Sequence, residues 1–220
     1  MKILAVNGSP RKNCNTATLL KHALQGAAMQ GAETEWVQLY SCNYKGCSSC
    51  FACKLKGGKS YGHCAWKDDL TPILKQIAEA DALLIGSPIY FGDVTGATRS
   101  FLERLLFPYT VYDTNYSTLF SKKLPVGFIY TMNVDEQTLA AVGYKDYLTL
   151  TEKTVERILG PATSLYVTDT YQFSDYSRYI APRFNEAEKA SRRKEEFPRD
   201  CQKAFDMGRT LIHQASTLVP

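Results

Sequence analysis

The sequence predicts an α/β fold with a five-stranded parallel sheet, strand order 2-1-3-4-5, and helices on both faces. Three observations carry this expectation. Short apolar runs alternate with stretches of helical spacing along all 220 residues, the pattern of βαβ units. Two of the runs, KILAVNGSP and DALLIGSPIY, end at the same Gly-Ser-Pro stop, as buried parallel strands do when they feed tight loops. No internal repeat or low-complexity linker breaks the chain, so residues 1–220 are expected to form a single domain.

Residues 2–7 give the first strand. Asn15 and Thr16 open a helix with Leu19, Leu20, Ala23, Leu24, Ala27 and Ala28 at helical spacing, and Gly31 marks its end. TEWVQLY (34–40) is the second strand, and a cysteine-rich loop (42–67) follows. Asp68 and Asp69 start a helix with Leu70, Ile73, Leu74 and Ile77 on one face. Residues 81–90 give the third strand, and a helix from about Thr98 carries Phe101, Leu102, Leu105 and Leu106. LPVGFIYTM (124–132) is the fourth strand, residues 144–159 a helix ending at Gly160-Pro161, and SLYVTDTY (164–171) the fifth strand. One last helix is expected from Glu186 to about His213, with Phe197, Phe205, Met207, Leu211 and Ile212 on its buried side. Residues 108–123 and a C-terminal extension (about 171–220) exceed the minimal fold. The aromatic stretch 171–184 suits surface elaboration or packing between subunits.

Bulk properties exclude some functions. With 26 basic and 22 acidic residues the net charge is +4, too mild for the concentrated basic face that nucleic acid requires. The start MKILAVNGSP turns too soon for a signal peptide's apolar region, and no run approaches a membrane span. A cytoplasmic location without membrane partners is expected. Seven cysteines cannot all pair internally, and in a reducing compartment clustered thiols suit metal or redox chemistry better than structural disulfides.

In a sheet of this order the ligand sits at the switch point, between the loops after strands 1 and 3. The first loop, NGSPRKNCNTAT (7–18), suits a phosphate. Gly8 permits close backbone approach, Ser9, Asn15 and Thr16 offer donors, Arg11 and Lys12 add charge, and a helix N-terminus follows. The second, GSPIYFGDVTGAT (86–98), presents Tyr90 and Phe91 beside Gly92, a surface for a planar ring. Together they describe a mononucleotide site. G-x-G-x-x-G and Walker A motifs are absent, which disfavours dinucleotide-binding and nucleoside triphosphatase sites.

The pair GSPRKNCNTATLL and GSPIYFGDVTGATRSFLERL resembles the NADPH-dependent FMN reductase branch of the flavodoxin-like superfamily, over about residues 1–165. The resemblance implies FMN, its phosphate held by Ser9, Arg11, Asn15, Thr16 and Ala17, and its isoalloxazine by Pro88, Ile89, Tyr90, Phe91 and Gly92. The family's third flavin loop falls at Thr131, Met132 and Asn133. Cys14 stands where the family usually has Ser, and a thiol is a weaker donor. The resemblance further implies NAD(P)H as co-substrate, a small-molecule or protein redox partner, and a homodimer or tetramer.

The cysteines read as C-x2-C-x2-C-x10-C: Cys47, Cys50, Cys53 and Cys64, followed by Asp68 and Asp69. The iron-sulfur flavoproteins of the same superfamily are similar, with x5 in place of x10. Four thiolates suffice for a [4Fe–4S] cluster. Zinc could use the same thiolates, although two separate C-x2-C knuckles are its commoner pattern. Cysteines at i, i+3 and i+6 could also be buried along a helix. All three readings stay open. Cys42 and Cys201 are read as incidental, and His22, His63 and His213 lie outside the flavin loops. The expected function is an FMN-dependent oxidoreductase moving electrons from NAD(P)H or a protein donor to a flavin, quinone or small acceptor. The flavin would supply the chemistry, so no catalytic side chain is assigned. The alternative is a flavodoxin-type electron carrier, against which the net positive charge weighs.

Overall fold

The computed structural model describes residues 1–218. In chain order its elements are β1 (Lys2–Asn7), α1 (Asn15–Ala28), β2 (Glu33–Gln38), α2 (Leu70–Glu79), β3 (Ala82–Tyr90), β4 (Asp93–Val94) and α3 (Gly96–Leu106). They continue with β5 (Val126–Thr131), α4 (Glu136–Ala141), α5 (Tyr144–Ile158), β6 (Ala162–Val167), α6 (Glu186–Glu195) and α7 (Phe197–Leu218). The sheet runs β2-β1-β3-β5-β6, every neighbouring pair parallel. This is the expected flavodoxin-like order. The expected count of five strands is corrected by β4, a two-residue strand antiparallel to the end of β3.

Alternation along the strands divides the interior into two cores. Leu4, Val6, Leu83 and Ile85 face a core with Ile73 and Ile77 of α2, Phe101 and Leu105 of α3, and Val155 of α5. Ile3, Ala5, Ala82 and Leu84 face a second core with Leu19, Leu20 and Ala23 of α1 and Ala204, Leu211 and Ile212 of α7. Each central strand is covered on both sides, which is why these strands read as unbroken apolar runs.

The last helix is where sequence and structure part. The single helix expected over 186–213 is two, α6 and α7, meeting at Glu196. Pro198 explains the break: it lacks the N–H to continue a preceding helix but is tolerated in the first turn of a new one. Phe205 and Met207, expected on the buried side, are only half-buried, while Cys201, Ala204 and Gly208 are buried. α7 crosses α1 at backbone contact. A Cβ on Gly208 would lie 1.8 Å from the Ala23 carbonyl oxygen, and one on Gly26 2.0 Å from that of Phe205.

Two further elements escaped the sequence reading. α4 has six residues, too few for a periodic pattern; its start is set by Asp135, whose side chain accepts from the Thr138 N–H. Residues 108–123 fold back through the bridge between Thr110 and Thr118. There Phe120 packs edge-on to Tyr109 at 4.9 Å and joins the first core.

Candidate functional site

The loops after β1, β3 and β5 meet at the C-terminal end of the sheet, where the switch-point rule puts a ligand. Buried side chains fix their shapes. Asn7 accepts from the Ser9 N–H at 3.1 Å and donates to Gln38 Oε1 at 2.7 Å, and Gln38 Nε2 donates to the Ser9 carbonyl at 2.7 Å. Ser9 Oγ accepts from the Arg11 N–H at 3.1 Å. Gly8 donates to the Gly86 carbonyl at 2.7 Å, and a Cβ there would lie 1.8 Å from Thr98 Oγ1. Only glycine therefore lets the first and second loops approach this closely. Thr95 Oγ1 donates to the Gly8 carbonyl at 2.7 Å, and the hydroxyls of Thr16 and Thr131 pair at 2.8 Å, tying the third loop to α1.

These loops enclose a cleft of about 150 Å³. Ser9, Arg11, Asn15, Thr16, Pro88, Ile89, Tyr90, Thr131, Met132 and Asn133 all line it. Three expected residues do not. Ala17 is fully buried in the α1 core; any part it plays is through its backbone at the helix N-terminus. Phe91, fully exposed with φ +53°, forms with Gly92 the tip of the β3–β4 hairpin, and Gly92 abuts Tyr144. Cys14 precedes α1 as its N-cap and makes no side-chain cap bond, as expected of a thiol in a hydroxyl's place.

The C-terminal extension completes the cleft. Thr170 and Gln172 line it, and the segment after β6 bonds to three polar side chains of these loops. Arg11 Nη1 donates to the Gln172 carbonyl at 2.6 Å, Asn15 Nδ2 to that of Tyr171 at 2.9 Å, and Asn133 Nδ2 to Gln172 Oε1 at 2.7 Å. Lys189 of α6, 3% exposed, donates to Asn133 O and Oδ1 at 2.8 and 2.6 Å and pairs with Asp169. The aromatics of 171–184 pack largely on one another, with Phe173 and Tyr179 stacked at 4.0 Å.

The cysteine loop lies on α3, and the cavity it forms shares no lining residue with this cleft. Its i, i+3, i+6 cysteines are not on a helix: residues 43–51 are irregular, with one short 3-10 turn at Ala52–Lys54. Ser49 and Phe51 adopt left-handed φ of +54° and +55°. The ten-residue excursion after Cys53 returns, since the Gly62 N–H donates to the Cys53 carbonyl at 3.0 Å. In consequence Cys47, Cys50, Cys53 and Cys64 line one small cavity, with Glu103, Arg104 and Phe107 of the neighbouring helix as its wall. Arg104, 2% exposed, fixes the arrangement. Its Nε donates to Cys64 Sγ at 2.9 Å, Nη1 to the Lys45 carbonyl at 3.0 Å, and its fork to both Asp68 oxygens at 2.8 and 3.1 Å. Lys54 caps the carbonyls of Phe107, Pro108 and Thr110. Burial pushes the Cys53 thiol up. Among the described residues, no three His, Cys, Asp or Glu side chains close around a single-ion position.

A family model described as NADPH-dependent FMN reductase matches residues 1–143. The chain belongs to that family. Among curated relatives, an iron-sulfur flavoprotein of Methanocaldococcus jannaschii is 38% identical over 104 residues, covering 47% of this chain and 51% of the relative. One of Archaeoglobus fulgidus is 42% identical over 104 residues, covering 47% and 48%. The chain thus spans about half the length of the curated relatives it matches. Among solved structures, an NAD(P)H:quinone oxidoreductase from Methanothermobacter marburgensis aligns with a TM-score of 0.70 at 15% identity, over 96% of this chain and 98% of that one; at that identity the likeness speaks for the fold. The FMN reductase match stops at 143, before Thr170, Gln172, Lys189 and Arg193, whose guanidinium donates to Asn15. None of these four was found from sequence: the segment carrying Thr170 and Gln172 has no phosphate-loop pattern, and Lys189 and Arg193 sit among the many charges of α6. The one available signal was that polar residues interrupt the aromatic run at 171–184. No described helix is long and apolar enough to cross a membrane.

Proposed function

We propose that this chain is an FMN-dependent oxidoreductase that takes electrons from NAD(P)H or a protein donor and delivers them to a flavin, quinone or other small redox acceptor. The observation that carries this reading is the convergence of three rigid loops on one cleft whose donors match FMN. Ser9 Oγ, Arg11, Asn15 Nδ2 and the N-terminus of α1 form a phosphate-type donor set, and Pro88, Ile89 and Tyr90 offer an apolar wall to a flat ring. When bound, FMN supplies the electron transfer itself. The protein's part is to grip the phosphate through Arg11 and Asn15, to orient the ring against residues 88–90, and to hold loop 131–133 through Lys189.

The four cysteines fit a [4Fe–4S] cluster better than the alternatives. A cluster takes one thiolate per iron, so its ligands surround a cavity instead of meeting at one point, whereas zinc draws four sulfurs to about 2.3 Å of one ion. Successive N–H groups around left-handed residues also form concavities of the kind that hold Fe–S sites. Ser49 and Phe51 supply such a backbone. The buried Cys53 thiol, its pKa raised, is a poor free nucleophile.

The test is an absorption spectrum of anaerobically purified protein with iron, sulfide and zinc assayed together. Stoichiometric FMN, a broad visible shoulder and equal iron and sulfide are expected, with NAD(P)H turnover against a quinone. A colourless protein that ignores added FMN would sink the reading; FMN binding without NAD(P)H turnover would leave a flavodoxin-type carrier. The cysteine cavity and the FMN cleft share no lining residue. Cys64→Ser is therefore expected to lose most of the iron and sulfide while keeping FMN affinity within about twofold. Loss of both together would show that the two sites are not separate. Association into a homodimer or tetramer belongs to the same proposal, and a sedimentation measurement giving only monomer removes it.

A further inference from the structure

We propose that Arg193, in the last turn of α6, is a positioning residue that makes the cleft selective for the phosphate of FMN over unphosphorylated flavin. This rests on the FMN reading above. Arg193 Nη1 donates to Asn15 Oδ1 at 2.8 Å, while Asn15 Nδ2 donates to the Tyr171 carbonyl at 2.9 Å. An asparagine amide has an acceptor end and a donor end, and by itself can face either way. Here both neighbours decide it: a guanidinium only donates and a carbonyl only accepts. Arg193 therefore takes the oxygen end of Asn15 and leaves its NH₂ end, with one N–H on the Tyr171 carbonyl, as the end open to an acceptor in the cleft that Asn15 lines. A phosphate, which has only acceptor oxygens at its charged end, needs that edge and is repelled by the other.

The guanidinium is itself held in place. It lies 4.0 Å over the ring of Phe197, a side chain buried at the start of α7, so it is preorganised for the bond to Asn15. It also sets a positive charge directly against Asn15. Arg11 and Asn15 already donate to the carbonyls of Gln172 and Tyr171. A phosphate thus competes for donors that are already satisfied, and the aim of Asn15 depends on a residue beyond the part of the chain that matches the FMN reductase model.

The experiment measures binding of FMN, riboflavin and inorganic phosphate to the full chain, by flavin fluorescence and phosphate competition. The variants are Arg193→Met, which keeps the packing on Phe197, and Arg193→Lys. Arg193→Met is expected to weaken FMN about tenfold, the size of one charge-assisted hydrogen bond, and to leave riboflavin unchanged. Arg193→Lys recovers part of the loss. In an Asn15→Ala background Arg193→Met adds little, because its partner is gone. Asn15→Asp weakens FMN more than Asn15→Ala, since it presents a carboxylate to the phosphate. Equal weakening of FMN and riboflavin would show a merely structural role and overturn the inference. So would unchanged FMN binding, or an effect confined to the KM for NADPH, whose own phosphates would then be the anion concerned. Wild-type protein that binds no FMN overturns the function proposed above; wild-type binding that Arg193→Met does not alter overturns only this inference.

Discussion

Arg104→Leu is expected to lower the stability of the fold by about 3–5 kcal/mol, the typical cost of removing one partner from a buried ion pair. Arg104 is 2% exposed and Asp68 is largely covered. Removing the guanidinium leaves the Asp68 carboxylate in a poorly hydrated place, and frees Cys64 Sγ and the Lys45 carbonyl. Asp68 also accepts from the Leu70 N–H at 3.1 Å, capping α2, so the disturbance reaches both the cysteine loop and a core helix. Urea unfolding of Arg104→Leu checks the magnitude. A loss below about 1 kcal/mol, the range of exposed pairs, would show that the pair is solvated. Asp68→Asn in the same chain removes the stranded charge but keeps a capping oxygen, and is expected to restore part of the loss. The acid limb gives an independent reading. Burial disfavours the charged Asp68, but the Arg104 guanidinium outweighs it and holds the carboxyl below its usual range. A depressed pKa means that stabilisation is complete above the unfolded value of about 4 and is lost as pH falls through the folded value. Arg104→Leu should therefore flatten the decline in stability below about pH 4. An equally steep decline in variant and parent would assign it to other carboxylates.

What could be read from the sequence follows what each signal depends on. Buried parallel strands announce themselves because both faces are covered, so Leu4 to Val6 and Ala82 to Ile85 read as apolar whatever packs on them. The sheet order followed from strands alternating with helices; Ser9, Arg11, Asn15, Thr16 and Tyr90 came from the residue types of the two Gly-Ser-Pro loops, and Pro88, Ile89, Thr131, Met132 and Asn133 from the resemblance to the FMN reductases. Phe91 and Gly92 were expected at the ring wall because they look flat and small; the two-residue strand β4 instead turns them to the hairpin tip, and a strand that short has no periodicity to read. The cysteine spacing was visible, but not that Gly62 would close on Cys53 or that an arginine fifty residues further along the chain from Lys54 would hold Cys64. Arg104 looked like an ordinary charged position of an amphipathic helix. Arg193 and Lys189 were likewise hidden among the charges of α6. Long-range polar contacts leave little mark on a single sequence, since arginine and lysine are common on exposed helix faces.

Gly208→Leu is expected to destabilise the fold by about 3 kcal/mol or more, at or above the upper end of overpacking costs, and to weaken FMN binding with it. Helix propensity alone predicts the opposite sign, because replacing a mid-helix glycine gains up to about 1 kcal/mol. Contact decides against propensity. A Cβ at Gly208 would stand 1.8 Å from the Ala23 carbonyl oxygen, which belongs to the backbone of α1 and cannot rotate away. The two helices must separate, and Leu211 and Ile212 of α7 then lose packing on Ile3, Ala5 and Leu84. The effect on the cleft follows from continuity. α6 leads directly into α7, and Arg193 and Phe197 lie on either side of that junction, so displacing α7 shifts the group that orients Asn15. Gly96→Ala is the control: a Cβ there meets nothing within 4 Å, and its stability should stay within about 0.5 kcal/mol of the parent, as for surface changes away from special features. Gly208→Ala, with one methyl, should fall between the two. Thermal melts of the three variants with FMN titrations order them. If Gly208→Leu were as stable as Gly96→Ala, the backbone contact between α1 and α7 could not be what holds α6 over the cleft.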